Sequence, residues 1–292
     1  SFILKCEADN DLYQALRRSG IPCRRFSAAS EAVDAAPSGA AVLILAERYP
    51  DLPTHIEPVI FEKASKKQLR VYVEYCSTIP GLEFGRPGKT EWERCVVSSD
   101  GFGESLAKLR ILKSNDCHYL PMIPPGGAPS DPLIVVAKVA GYDKAVFGLP
   151  AATHPILFSA ADPNVLVATT SLSAFRRGRY GPTEDWKFLW KWILRRLDPK
   201  VNVDALDWTS AVTASYGRDE VLPPSHESDA LRRAAEWTFK SRLLLHESRR
   251  EAAHADLKKM VETALKPADD DPDGDGTLGF LEGYASPILW DG

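Results

Sequence analysis

Cysteine pairs and long apolar runs are missing from this sequence. Its five cysteines are odd in number and widely spaced, and none belongs to a Cys-x-x-Cys motif. This pattern argues against a disulfide framework and against a thiolate zinc site. No apolar run approaches the roughly 20 residues that a membrane-spanning helix requires. We therefore expect no membrane span.

An excess of positive charge is also missing. The formal net charge is −4, with 44% apolar and 26% charged residues, which is typical of a globular protein that folds in water. Without a broad basic field we expect no nucleic-acid partner. The chain begins at Ser1 and not at Met, which is compatible with a leader already removed. We favour an exported location, periplasmic or extracellular, over a cytoplasmic one.

Strand and helix patterns alternate in the first part of the chain. Residues 2–6 have the composition of a strand, and residues 9–18 that of a helix capped by Asp9 or Asn10. The continuous apolar run at 41–46 is typical of a strand covered on both faces, and residues 69–75 are predicted to form the next strand. This succession predicts an α/β fold with a doubly wound, mostly parallel sheet.

The alternation changes after Ser77. Several strand-like segments up to residue 169 lie too close together for crossover helices, so we expect antiparallel hairpins at the sheet edge. Trp186 and Trp190 belong to an apolar stripe at helical spacing, which predicts a core-facing helix over 184–197. We expect the α/β domain to span 1–199 and a helical extension to span 200–292.

The extension contains an acidic loop with the D-x-D-x-D-G pattern of a calcium site, followed by five residues and a glutamate. Calcium takes six to eight hard oxygen ligands, from carboxylates and one backbone carbonyl. The ligands that the pattern assigns are Asp271, Asp273, Asp275, Thr277 and Glu282. Pro267 and Pro287 argue against a complete helix-loop-helix hand. The alternative is a solvated acidic linker.

Cys76 closes a predicted strand, where α/β sheets present reactive groups. A catalytic hypothesis pairs its thiolate with His118 or His154, oriented by Glu74 or Asp116. A nucleophile elbow requires small neighbours, and Cys76 is preceded by a tyrosine. The alternative is a buried structural cysteine, which we favour.

A basic turn precedes the tryptophan-rich helix. Arg177 and Arg179 belong to the run Arg-Arg-Gly-Arg, and arginine forks suit carboxylates, phosphates and sugars. These two residues are candidate ligand-binding residues. Alternatively, they pair with surface acids or cap carbonyl groups.

The order of these elements resembles the class I glutamine amidotransferase-like domains, including the ThuA-like branch. The resemblance covers residues 1–197 and includes the run Asn-Val-Leu-Val-Ala-Thr-Thr-Ser-Leu-Ser at 164–173. It implies a flavodoxin-like α/β domain. The Gly-x-Cys-x-Gly elbow and the His-x-Glu pair of the family are missing at the corresponding places, which implies a non-catalytic or repurposed domain.

Residues 237–245 and 274–284 resemble the start of helical domains of the six-hairpin glycosidase kind. This resemblance implies the front part of a longer carbohydrate-processing protein, with carbohydrate as a partner and a catalytic domain downstream. We therefore expect an accessory α/β domain with a calcium-stabilised helical segment, from a bacterial glycan-processing protein. The alternatives are a free-standing amidotransferase-like or hydrolytic enzyme that uses Cys76, and a structural or oligomerisation module that forms homo-oligomers.

Overall fold

The computed structural model describes residues 1–114, 117–123, 131–141, 143–175 and 180–209. The chain divides into two units, Ser1–Ala211 and Val212–Gly292, and all described residues belong to the first. The strands are β1 (Phe2–Lys5), β2 (Cys23–Phe26), β3 (Ala41–Ile44), β4 (Arg70–Glu74), β5 (Glu83–Phe84), β6 (Gly88–Lys89), β7 (Arg94–Val97), β8 (Ile111–Ser114), β9 (His118–Tyr119), β10 (Met122–Ile123), β11 (Ile134–Ala137), β12 (His154–Ser159), β13 (Val165–Ala168) and β14 (Tyr180–Gly181). The α-helices are α1 (Asp11–Arg18), α2 (Ala29–Ala35), α3 (Pro58–Lys66) and α4 (Thr183–Leu197).

Ten of these strands form one mixed sheet, in the order β14-β8-β7-β11-β12-β13-β4-β3-β1-β2. The half from β2 to β13 is parallel, because every neighbouring pair in it runs in the same direction. The half from β13 to β14 is antiparallel throughout. The α/β fold is therefore confirmed at the level of a large mixed sheet with helices.

The expectation of a mostly parallel sheet needs correction, because antiparallel strands make up as much of the sheet as parallel ones. The physical reason is the short spacing of the segments after β4, which leaves no room for the crossover helices that parallel pairs require. The sequence predicts these hairpins but not that they would extend the sheet by five strands.

Strands β3 and β4 lie inside the parallel half, as their apolar composition predicts. β3 pairs with β1 and β4, and β4 pairs with β3 and β13. All four residues of β3 are buried. Strands of this kind need apolar side chains on both faces, because helices or loops cover both.

Helices pack on both faces of the sheet. One face carries a core cluster that includes side chains of α1 and α4, among them Leu12, Leu16 and Trp190. The other face carries a second cluster with side chains of α2 and α3, among them Val33 and Phe61. We call these the α1–α4 face and the α2–α3 face.

The predicted helix limits follow from capping and periodicity. Asn10 is the cap of α1, since its side-chain oxygen accepts a hydrogen bond from the Tyr13 amide at 3.1 Å. Asp11 in the first turn and Arg18 in the last turn complement the helix dipole. In α4 the predicted stripe is buried, with Trp186 and Trp190 fully enclosed.

The first unit's core extends past α4 to Val203, Leu206 and Trp208. The proposed boundary at 199 and the helical extension stay predictions, because residues 210–292 lie outside the described part. Within the described ranges, no helix is long and apolar enough to cross a membrane.

Candidate functional site at the carboxyl edge of the parallel strands

Parallel strands end at a common edge, and polar groups gather at that edge of this sheet. β1, β3, β4 and β13 run in the same direction, so the residues that follow them lie side by side. We call this the carboxyl edge. Ligands of open α/β sheets usually bind here, at the point where the strand order reverses. In this sheet the order reverses between β1 and β3.

An ion pair stands at the reversal point. Lys5 at the end of β1 lies 2.8 Å from a carboxylate oxygen of Glu47, which follows β3, and both side chains are mostly buried. Next to Lys5, burial raises the pKa of the Cys6 thiol to about 12, although the positive charge of Arg25 opposes this shift. Cys6 is therefore a neutral core residue.

Glu74, the last residue of β4, has its carboxylate completely buried at this edge. One carboxylate oxygen, Oε1, accepts hydrogen bonds from three donors. They are the Tyr72 hydroxyl at 2.9 Å and the backbone amides of Leu172 and Ser173 at 3.1 and 2.8 Å.

The second oxygen of Glu74, Oε2, also has three donors. The Ser173 hydroxyl lies at 2.7 Å, the Ala46 amide at 3.3 Å and the Ser171 hydroxyl at 3.5 Å. A carboxylate has about four lone-pair sites, so this one is fully used by its own chain. We call these residues the Glu74 cluster: Ala46, Tyr72, Glu74, Ser171, Leu172 and Ser173.

The pKa of Glu74 is raised from 4.5 to about 7, chiefly because burial removes water from the charged form. Hydrogen bonds from Ser173, Tyr72 and the Ala46 amide oppose this shift. The hydroxyl partners can rotate and accept a hydrogen bond, whereas the amide partners cannot. The cluster can therefore hold Glu74 in either protonation state near neutral pH.

The Glu74 cluster is connected to the start of α1. The Asn10 amide group donates to the Ser173 hydroxyl oxygen at 2.9 Å, and that hydroxyl in turn contacts Glu74. Asn10 thus caps α1 with its oxygen and fixes the loop after β13 with its nitrogen. Four segments therefore meet here: the start of α1, the loop after β3, the end of β4 and the loop after β13.

Cys76 does not share the environment of Glu74. Between them, Tyr75 has a φ of +45°, a left-handed conformation that is uncommon for a residue with a large side chain. This turn breaks the alternation of the strand, so Cys76 joins the apolar cluster on the α2–α3 face, while Tyr72 lies in the core of the α1–α4 face. The residue with the left-handed conformation at this strand end is therefore Tyr75 and not Cys76.

The Cys76 thiol is only 1% exposed. Its sulfur lies 3.6 Å from the Thr78 hydroxyl. Burial raises the pKa of this thiol, although the Thr78 hydrogen bonds and Lys5 oppose the shift. A thiol that is hard to ionise is a poor nucleophile.

His118 belongs to a different group of contacts. Its backbone carbonyl accepts a hydrogen bond from the Tyr49 hydroxyl at 3.1 Å, and its ring lies edge-on to the Tyr49 ring. The Tyr49 hydroxyl also accepts a hydrogen bond from Thr170 at 3.2 Å. The contacts of the described residues join neither His118 nor His154 to Cys76. His154 instead lies against the Tyr119 ring.

Arg177 and Arg179 lie outside the described residues, but the residues on both sides of the run 176–179 are described. The Tyr180 hydroxyl donates to the Ser171 carbonyl at 2.6 Å, and the indole of Trp190 donates to the Leu172 carbonyl at 3.2 Å. The predicted calcium ligands, Asp271, Asp273, Asp275, Thr277 and Glu282, and the alternative orienting acid Asp116 also lie outside the described residues.

Sequence reasoning missed the partners of Glu74. Thr169, Thr170, Ser171 and Ser173 directly follow a buried apolar strand, and this change from apolar to hydroxyl residues was the available signal.

The family models, the curated proteins and the solved structures contain no match to this chain.

Proposed function

We propose that the first unit is an accessory, non-catalytic α/β domain of a bacterial glycan-processing protein. The observation that carries the proposal is the saturated carboxylate of Glu74. A catalytic acid or base needs a free position within hydrogen-bond reach of a substrate. Glu74 instead receives six donors from its own chain and has no exposed surface.

The state of Cys76 supports the same proposal. Its sulfur is enclosed on the α2–α3 face, away from the Glu74 cluster, and its raised pKa keeps it protonated at neutral pH. In this proposal the parallel half is a doubly wound unit of the flavodoxin kind, and the Glu74 cluster serves to join its strand ends.

The proposal includes the second unit. In this proposal residues 212–292 form a helical extension in which Asp271, Asp273, Asp275, Thr277 and Glu282 bind one calcium ion. Calcium is abundant outside the cell, which agrees with an exported protein, and the resemblance to six-hairpin glycosidases favours carbohydrate as the partner of a downstream catalytic domain.

Thiol labelling of the native 292-residue chain tests the proposal against a cysteine enzyme. We expect iodoacetamide at pH 8 to modify Cys23 first, because it is the only partly exposed cysteine among the five. Cys76 should react at least a hundredfold more slowly than in urea-unfolded protein. Peptide mass mapping at successive times gives both rates.

Glutamine hydrolysis provides the functional arm of this test. We expect the native chain and Cys76→Ala to release ammonia from glutamine at the same background rate. Cys95→Ala, which also removes a fully buried thiol, controls for the cavity that the substitution leaves. Rapid labelling of Cys76, or glutaminase activity that Cys76→Ala alone abolishes, would establish the enzyme alternative instead.

A further inference from the structure

A groove of about 320 Å³ lies on the α2–α3 face, between α3 and the turn that joins β12 to β13. Its volume is at the lower end of the range of small-molecule sites. Its wall is mainly apolar and includes Phe61, Leu69, Val71, Ile79, Ala160 and Val165. It lies at the amino ends of β4 and β13, so it is separate from the carboxyl edge.

The groove exists because the connection from β4 to β13 departs from the preceding pattern. The connections from β1 to β2, β2 to β3 and β3 to β4 each contain an α-helix. The described residues between β4 and β13 form strands β5 to β12, and their helical segments are two short 3-10 turns, Asp100–Phe102 and Glu104–Leu106. Among the described residues of that connection, no α-helix covers β13 beside α3. Ile79 and Pro80, from the segment after β4, also line the space.

The charged groups of the groove have one sign. Glu62 and Asp162 are the charged residues among its described lining, which contains no lysine, arginine or histidine. One oxygen of Asp162 accepts a hydrogen bond from the Asn164 amide at 2.9 Å, which leaves the other oxygen available. Within the part of the chain that the structure describes, neither carboxylate has an ion-pair partner.

From this arrangement we infer that the groove binds a compact apolar molecule that carries one positive charge, such as an aromatic or quaternary ammonium compound. The apolar body of such a ligand would pack against Phe61 and Val165, and its ammonium group would lie near Glu62 and Asp162. Cations also interact favourably with aromatic rings, and Phe61 lines the groove. Anions would meet two carboxylates, and a sugar would find few hydrogen-bonding groups. This inference does not depend on the proposed function.

Titration of the 292-residue chain with three related probes tests the inference. The probes are benzyltrimethylammonium, benzyl alcohol and phenylacetate, and binding is followed by calorimetry at low salt. We expect a dissociation constant of about 0.1–1 mM for the cation, as befits a fragment-sized ligand. Benzyl alcohol should bind at least tenfold more weakly, and phenylacetate should not bind measurably.

Two pairs of variants locate the binding. Glu62→Gln should weaken binding of the cation about threefold to tenfold, while Glu7→Gln, which changes another exposed glutamate that does not line the groove, should not change it. Ala160→Phe should block the groove, while Ala161→Phe at the exposed neighbouring position should leave binding intact.

Equal binding of the three probes, no binding of the cation at 10 mM, or binding that survives Ala160→Phe in folded protein would overturn the inference. Because Glu62 is on the surface, its substitution tests the inference even if Ala160→Phe fails to fold.

Discussion

The Glu74 carboxylate is a buried group that holds three chain segments together through its two oxygens. Its donors come from the loop after β3, from β4 itself and from the loop after β13. A charged acceptor makes each of these hydrogen bonds stronger than a bond between neutral groups. Burial raises the pKa of Glu74 to about 7, so the carboxyl is partly protonated at neutral pH even though these hydrogen bonds oppose the shift.

Glu74→Gln should destabilise the folded chain by about 2–4 kcal/mol at pH 5.5. Whichever way the new amide lies, its NH2 group faces at least one backbone amide that has lost its acceptor. Urea unfolding followed by tryptophan fluorescence measures the change. Glu83→Gln on the surface should alter stability by less than about 0.5 kcal/mol. Equal stability of the two variants would contradict a structural role for the Glu74 cluster.

The raised pKa of Glu74 makes stability depend on pH. The carboxyl has a pKa of 4.5 in the unfolded chain and about 7 in the folded chain, so the folded state binds the proton more tightly. This contribution favours the folded state fully below pH 4.5 and is lost as the pH rises through 7. The loss amounts to about 3 kcal/mol.

The stability difference between the wild type and Glu74→Gln isolates this contribution, because the other titrating groups cancel. We expect that difference to shrink between pH 5 and pH 8. Urea unfolding of both proteins at several pH values measures it. A difference that grows with pH would mean that the hydrogen bonds outweigh burial and that the pKa of Glu74 is low.

Among the elements, those with strong local patterns were predictable from the sequence. The runs at 41–46 and 69–75 became β3 and β4, and the tryptophan stripe became α4. The Glu74 cluster was not predictable, because Ser173 lies 99 residues from Glu74 in the chain and no periodicity connects them. The turn at Tyr75 was missed for another reason: a left-handed tyrosine contradicts residue preferences, so only tertiary contacts can impose it.

The cap of α1 provides a test at the level of one element. The sequence allows Asp9 or Asn10 as the cap, and the structure selects Asn10, which also donates to Ser173. Asn10→Ala should therefore lower the free energy of unfolding by about 1–2 kcal/mol.

Asp9→Ala is the matched control for this prediction. Asp9 is the neighbouring exposed residue, so its substitution should change stability by less than about 0.5 kcal/mol. Chemical denaturation of both variants gives the comparison. A larger effect for Asp9→Ala than for Asn10→Ala would contradict Asn10 as the cap and as the connection to the loop after β13.

For the molecule as a whole, calcium binding is the prediction that involves the second unit. If one ion binds the folded chain only, it stabilises that chain by roughly 2.7 kcal/mol at a hundredfold excess over its dissociation constant. Calcium should therefore raise the unfolding temperature of chelator-treated protein, and magnesium should do so poorly because it requires a smaller octahedral shell.

Glu282→Gln should weaken calcium binding more than any other single substitution in the loop, because one residue is expected to supply two oxygens. Calorimetric titration and thermal unfolding of the full chain provide the measurements. Absence of heat and of any shift at millimolar calcium would show that the acidic loop is a solvated linker.

The distance along the chain between Glu74 and Ser173 also sets the order in which a ribosome delivers them. Synthesis at about 5–20 residues per second places Ser173 roughly 5–20 s behind Glu74, from which it is separated by 99 residues. During that interval β4 has been made but β13, its neighbour in the sheet, has not. A nascent chain therefore presents an open edge of its central sheet, the kind of edge on which other strands can assemble. Chaperone protection of the emerging chain should matter most in this interval. It should end when the loop after β13 forms its hydrogen bonds with the Glu74 carboxylate.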